Sequence, residues 1–356
     1  MYGTHSATDL LSVTNQSIAD FGEENVAQSF AAELAAHNAL VANMLAELCS
    51  FGDEQITMYG GASDIVAIDT DEFGLSDAQK PATGVNVGFP LRNWDVTLQW
   101  TRLWMTMNTP ADAAKSLDAA KTADLKAIQR SIRRAIYTST NNLTYVDRRS
   151  RNMAVLPIRA FLNADATTIP VGPNGEAFVG ASHTHYLATA SLVAANVSAL
   201  ISTVTEHSID GEVRLYVNAA DEAAIRAMTA NFTPYYDSRI TPATNAAAGN
   251  GALNVTNTNN RAIGVFNNAE VWVKPWVLAS YPVAIRLGGT GVKPIRARTR
   301  TGTLTGLGAF EMRYEHEHYP LRADVMSREI GFAPHDRASV ATLFTAGASY
   351  TIPASF

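Results

Sequence analysis

The sequence has 356 residues, 47% of them hydrophobic and 17% charged, with a formal net charge of −6. That length and apolar content suit one large or two medium globular units with a substantial core, and the acidic balance argues against a chain built mainly to grip nucleic-acid phosphates. Cys49 is the single cysteine, so no internal disulfide can form, and no apolar run approaches the length of a membrane span.

Residues 1–25 are polar and without period, and read as an extended arm. Asn25 then caps a helix over Val26 to Ser50, with Gln28 at the capping-box position and a stripe of Phe30, Leu34, His37, Val41, Leu45 and Leu48. His37 on that stripe reads as a hydrogen-bonded packing residue, and Cys49 as a buried, inert thiol. From Phe51 to Asn108, glycines punctuate short β-prone pieces such as Ile65–Ile68 and Val85–Val87. Asp95 to Met107 alternates, with a parity switch between Trp100 and Leu103 that predicts a bulge or twist. This long two-stranded excursion has little core of its own and should lean on another molecule or another part of the fold.

Thr109 to Tyr137 is the strongest element. Thr109 is an N-cap, Pro110 takes the first helical position and Asp112 completes a Thr-x-x-Asp start. Leu117, Leu125, Ile128, Ile132 and Ile136 share one face. At about 1.5 Å per residue the helix is on the order of 40 Å long, enough to span a domain. Beyond it, Ser139 to Ser182 is loose, Leu187 to Val204 predicts an apolar helix, Glu212 to Val217 a strand and Ala219 to Met228 a helix. Asn231 to Asn260 reads as a long exposed loop. The last hundred residues are mostly β, with strands expected at 262–266, 270–273, 283–287, 293–300, 309–318 and 338–344. Helices and strands in blocks, without strict alternation, indicate an α+β class.

Signals for chemistry are sparse. His183-Thr-His185 and His316-Glu-His318 have the spacing that puts two imidazoles on one face of a strand, a zinc-gripping arrangement, but neither has a visible third ligand. We assign no metal ligand from the sequence, no cofactor and no catalytic residue. The Gly-rich runs at 288–291 and 302–308 lack the strand–loop–helix context of a phosphate-binding loop. Arg296, Arg298 and Arg300 alternate on a predicted strand, so three guanidiniums fall on one face. Carboxylates of a neighbouring chain, or of the acidic stretch Asp69–Asp77, are their expected partners.

The order of parts resembles the major capsid proteins of tailed bacteriophages, the Hong Kong 97-type fold family. Val87-Gly-Phe-Pro-Leu91 followed by Val96-Thr-Leu-Gln-Trp-Thr-Arg102 looks like the descending strand of that family's E-loop, and Thr109-Pro-Ala-Asp112 leading to Ile128-Gln-Arg-Ser-Ile132 looks like its spine helix. Arg214-Leu-Tyr-Val-Asn218 and Val265 to Trp272 resemble axial-domain strands. Pro282-Val-Ala-Ile285 through Lys293-Pro-Ile-Arg296, and Glu329-Ile-Gly-Phe332, resemble the returning strands.

The resemblance implies an N-terminal arm at 1–25, an N-terminal helix at 26–51, an E-loop at 52–108 and the spine helix of a peripheral domain at 109–139. An axial domain with inserted loops follows at 140–287, then peripheral-domain return strands at 288–335 and a C-terminal strand and tail at 336–356. It implies a non-enzymatic subunit of an icosahedral head shell in the virion, assembled in the host cytoplasm from pentamers and hexamers of itself. Further implied partners are a separate scaffolding protein, a portal, a decoration protein and packaged double-stranded DNA touched non-specifically, with no membrane. An encapsulin-like compartment shell is the alternative, and a metal-dependent enzyme using the His-x-His pairs a second. Intersubunit contacts are expected at Asp71, Glu72 and Lys80 on the E-loop tip and at Arg296, Arg298 and Arg300, with the three arginines dispensable for the fold of a single chain. Nothing around Lys80 matches a cross-linking motif.

Overall fold

The computed structural model describes residues 7–60, 69–70, 72–74, 84–150, 152–208, 210–235, 260–288, 293–318 and 321–356, with backbone alone at 7–9 and within 314–322. The first part of the chain forms α1 (Ala7–Ser12), α2 (Ile18–Phe21), α3 (Glu23–Leu45), β1 (Cys49–Gly52), β2 (Ile56–Tyr59), β3 (Val85–Gly88), β4 (Asn93–Thr101), α4 (Arg102–Met107) and α5 (Pro110–Tyr137). The middle holds β5 (Asn142–Val146), β6 (Val155–Ile158), β7 (Tyr186–Ala188), α6 (Ala194–Thr205), β8 (Glu212–Val217), α7 (Glu222–Ala227) and β9 (Phe232–Pro234). The rest is β10 (Arg261–Phe266), β11 (Ala269–Val273), β12 (Val283–Leu287), β13 (Ile295–Arg298), β14 (Glu311–His318), β15 (Leu321–Glu329), β16 (Gly331–Pro334) and β17 (Val340–Phe344).

The 28-residue helix α5 starts as its sequence dictates: Thr109 and Asp112 form a reciprocal capping box with Pro110 in the first turn. Leu117, Ile128, Ile132 and Ile136 are buried along one face. Asp124 falls on that same face, four residues before Ile128, and is fully buried. It accepts from Arg328 Nε at 2.9 Å and Nη2 at 2.8 Å, and from Trp94 Nε1 at 2.8 Å, while His37 Nε2 lies 2.8 Å away. One carboxylate thus joins α3, α5, β4 and β15. His37 is a packing residue with a polar partner, as expected.

The largest sheet has seven strands in the order β7-β17-β12-β8-β11-β10-β9. α6 covers it, packing Val197, Leu200 and Val204 against Leu215, Val217, Ala284 and Leu343. A three-stranded sheet, β14-β15-β4, pairs Leu321 with Thr101 through Glu329 with Asn93. Another, β1-β13-β16, lies against the C-terminal half of α5. Two-stranded ribbons, β2-β3 and β5-β6, complete the described strands. No described helix is long and apolar enough to cross a membrane.

Several sequence expectations change. The described part of the arm is helical, and Leu10 and Ile18 are buried beside Phe30, Leu34 and Leu117. Elements of six and four residues are too short to show a period. Replacing the fully buried Leu10 by alanine should lower stability by about 2–5 kcal/mol; a urea melt within about 0.5 kcal/mol of wild type would detach α1 from the core. The α3 helix starts at Glu23 after Gly22, not at Val26, and Asn25 instead donates to the Phe21 carbonyl at 2.8 Å. It stops at Leu45, so Cys49 opens a strand. Cys49 is buried, and burial pushes its thiol pKa up.

The parity switch after Trp100 is a helix start, not a bulge: Thr101 Oγ1 accepts from Trp104 N at 3.0 Å and caps α4. Leu187 belongs to β7, with the helix beginning at Ala194. The strand expected over 293–300 spans Ile295–Arg298. β15 is missing from the expectation because Asp324, Arg328 and Glu329 are charged yet buried, which hides the period-2 signal. Ile65–Ile68 and most of the loop expected at 231–260 lie outside the described residues.

Candidate assembly interface

The arginine strand was the sharpest candidate contact, and each of its side chains has a partner within the chain. β13 runs parallel to β1 and antiparallel to β16. Arg296 reaches Glu54 and, at 3.3 Å, Ser50 Oγ. Arg298 is only 4% exposed, donating to Asp147 Oδ2 at 2.6 Å and to the Phe89 carbonyl at 2.8 Å. Arg300, two residues past the strand, holds both carboxylate oxygens of Glu329 at 2.8 and 3.0 Å and the Arg149 carbonyl at 2.8 Å. Among the described residues their partners are Glu54, Asp147 and Glu329. Arg298 serves this chain's own fold, because a buried guanidinium is held by a buried carboxylate of the same chain. Glu72 is exposed, whereas Asp71 and Lys80 lie outside the described residues.

Apolar side chains left in water mark a second kind of surface. Met58 on β2 is 67% exposed and Ile56 beside it is exposed too. Leu103 and Met107 project from α4, and Leu143, Val146, Met153 and Val155 from the β5-β6 ribbon. A two-stranded ribbon is marginal alone, and β2-β3 and β5-β6 both carry outward apolar residues. Between the end of α5 and the β5-β6 ribbon lies a cleft of about 320 Å³, lined by Arg134, Ala135, Tyr145, Ile158 and Pro334. Sequence reading missed the β5-β6 ribbon, whose signals were the β-prone runs Leu143-Thr-Tyr-Val146 and Val155-Leu156.

The two His-x-His pairs part company. His316 and His318 sit on β14, and their side chains lie outside the described residues. His183 and His185 face His207 and Glu206 from the end of α6. Burial holds the His183 and His185 imidazoles below the usual range and lowers His207 to about 3, with the Arg286 guanidinium adding to the latter. A neutral imidazole is the form that offers a lone pair to a metal. His207 escaped the sequence reading because it stands alone, with no ligand spacing to either pair.

No family model matches the sequence. No curated protein matches it either. The fold, by contrast, recurs among solved structures. A chain of the structure of Mycobacterium phage Patience aligns over 99% of this chain and 96% of its own length, at 17% identity and a TM-score of 0.67.

The chain has the Hong Kong 97-type capsid fold.

A chain of the cyanophage A-1(L) capsid asymmetric unit covers 86% of this chain and 93% of its own, at 10% identity and a TM-score of 0.49. A chain of the holo-SrpI encapsulin complex from Synechococcus elongatus covers 88% and 90%, at 10% identity and a TM-score of 0.43. The Hong Kong 97-type fold accounts for the combination of a long capped helix, a mixed sheet and a separate long antiparallel sheet that brings β4 beside the distant β15.

Proposed function

We propose that this chain is the major capsid protein of a tailed phage, a structural subunit that self-assembles into the icosahedral head shell around the genome. The observation that carries the reading is the Hong Kong 97-type fold, matched along nearly the whole chain at a TM-score of 0.67. On this reading residues 52–108 are the E-loop, 109–139 the spine helix, 140–287 the axial domain and 288–335 the return strands. Repeated heterologous contacts between such subunits close into rings and then a shell. The outward apolar residues of β2, α4 and the β5-β6 ribbon are what neighbouring copies would cover, and removing them from water supplies the association energy.

Among the charged candidates, Asp71, Glu72 and Lys80 at the E-loop tip are proposed to reach a neighbouring copy. Arg296 and Arg300 are proposed to do so at the margin of their existing pairs. Scaffolding, portal and decoration proteins are proposed further partners, and packaged double-stranded DNA would be touched without sequence preference. Assembly would take place in the host cytoplasm, and the role is structural, without catalysis.

Light scattering followed by negative-stain electron microscopy of the purified chain tests the reading. Closed shells or capsomer rings are expected, and their content, nucleic acid or protein cargo, separates a phage head from an encapsulin-like compartment. A monodisperse small oligomer that persists on co-expression with the neighbouring structural genes would sink it. Met58→Asp should lower particle yield while leaving the single chain's melting curve within about 0.5 kcal/mol of wild type, as for other exposed positions.

A further inference from the structure

The segment from Arg159 to His185 crosses the molecule with almost no regular structure; its one described bridge pairs Asn163 with Thr184. Long irregular segments need fixing from outside their own backbone. Arg337 holds the near part, donating to the Ala160 carbonyl, Thr167, Asn163 and Asp165. At the far end the fixing group is a set of side chains: His183 and His185 meet His207 and Glu206, which follow directly on α6.

The four ligand atoms lie within 4.8 Å of one another. His207 Nε2 is 3.0 Å from His183 Nε2 and 3.0 Å from His185 Nε2. Glu206 Oε1 is 3.5 Å from His183 Nε2 and 3.8 Å from His207 Nε2. Zinc bonded to nitrogen at about 2.0–2.1 Å in a tetrahedron separates its ligand atoms by roughly 3.3 Å. Four of the six spacings lie within about 0.5 Å of that value, and the other two, at up to 4.8 Å, must close as the ion binds.

Tautomers sharpen the case. His185 Nδ1 lies 2.8 Å from the Val340 carbonyl and must carry the proton, so its Nε2 presents a lone pair to the cluster. That arrangement, a ring N–H held by a backbone carbonyl with the other nitrogen free to bind, is the usual support of a metal-bound histidine. His207 Nε2 has at most one hydrogen to offer, yet two imidazole nitrogens sit at 3.0 Å from it. One of these contacts is then poorly bonded in every neutral tautomer, and a divalent cation at the centre satisfies all three lone pairs together. The Phe178 ring packs at a tilt against the rings of His183 and His207, with centroids 4.9 and 4.3 Å away. Glu206 is the most open of the four and gives an ion its way in. Arg286, whose charge acts on His207, is already paired with Asp336.

We propose that His183, His185, His207 and Glu206 form a structural zinc site that ties the 159–185 segment and the edge strand β7 to the end of α6. Three imidazoles and one carboxylate close a four-coordinate shell, which marks a structural site and leaves no open position for substrate. The sequence reading assigned no metal here because two of the four ligands come from a different element. This inference goes beyond the shell function and does not depend on it, since the site lies within one chain.

The test uses tag-free full-length chain, loaded with zinc, desalted and analysed for metal. About one zinc per chain is expected, as a closed four-ligand site holds one ion. Cobalt substituted into wild type should give the intense visible absorption of four-coordinate Co²⁺, and chelation should lower Tm by about 5 °C or more. His207→Ala should lose the metal, whereas His316→Ala should keep it. Metal at background level in loaded wild type, or a six-coordinate cobalt spectrum, overturns the proposal. The wild-type cobalt spectrum decides even where His207→Ala fails to fold, and failure of shells to form leaves it untouched.

Discussion

Replacing Asp124 by alanine is expected to lower the stability of the single chain by about 3–5 kcal/mol, the range for breaking a buried ion pair by removing one partner. Arg328 has no exposed surface, and Asp124 takes both its Nε and its Nη2. Without the carboxylate, a guanidinium is left in the core with the Gly308 carbonyl and Asn38 as partners, and Trp94 loses its acceptor. Because α3, α5, β4 and β15 all meet at this point, the loss should appear as a shift of the whole denaturation midpoint, not as local fraying. Asp124→Asn separates charge from shape.

Burial raises the Asp124 pKa, but the hydrogen bonds from His37 and Arg328 outweigh it and hold the carboxyl below its ordinary value. A group held low when folded contributes stability above its unfolded pKa, and that contribution is lost as the pH falls through its folded pKa. Wild type should therefore lose stability as the pH drops below about 4, and Asp124→Asn should lose less over the same range. Equal acid slopes for the two proteins would remove Asp124 from the account.

Arg298→Ala should cost about 3–5 kcal/mol as well, while Arg296→Ala should cost no more than about 1 kcal/mol. The two arginines stand two residues apart on one strand, and their surroundings decide the difference. Arg298 is sealed against Asp147, which has no exposed surface either, and against the Phe89 carbonyl. Arg296 pairs with Glu54, whose side chain is 49% exposed and can return to water. Arg298→Met combined with Asp147→Leu should recover most of the loss, since an apolar pair of similar volume leaves no stranded charge. Denaturant melts of the unassembled chain measure all three. If Arg298→Ala lost no more than Arg296→Ala, the buried pair would contribute nothing particular.

The comparison of these arginines shows what was legible in the sequence. Alternation placed Arg296 and Arg298 correctly on a strand, but it assigns a face and says nothing about what the face meets. The α5 helix was legible almost to the residue, because its cap and its stripe are local signals. Strands such as β12 were legible because every residue but Arg286 is apolar. β15 was not, since its buried charges find partners only through contacts across the chain. The His183 and His185 pair was visible, whereas its completion by His207 and Glu206 depends on where α6 ends against the sheet. Local chemistry can be read from spacing; a site assembled from distant elements needs the fold.

The order of the seven-stranded sheet also sets when a newly made chain can become a subunit. β17 lies inside the sheet, between β7 and β12, although residues 340–344 leave the ribosome long after both. β4 likewise waits for β15, and β1 for β13. Such non-local pairings are slow to form and cannot form early. A nascent chain stopped anywhere before residue 340 has a gap between β7 and β12, and these two strands cannot register through each other. Translation itself thus acts as a checkpoint: a prematurely terminated product never acquires the completed sheet, so it should be excluded from any growing particle without a dedicated proofreading partner.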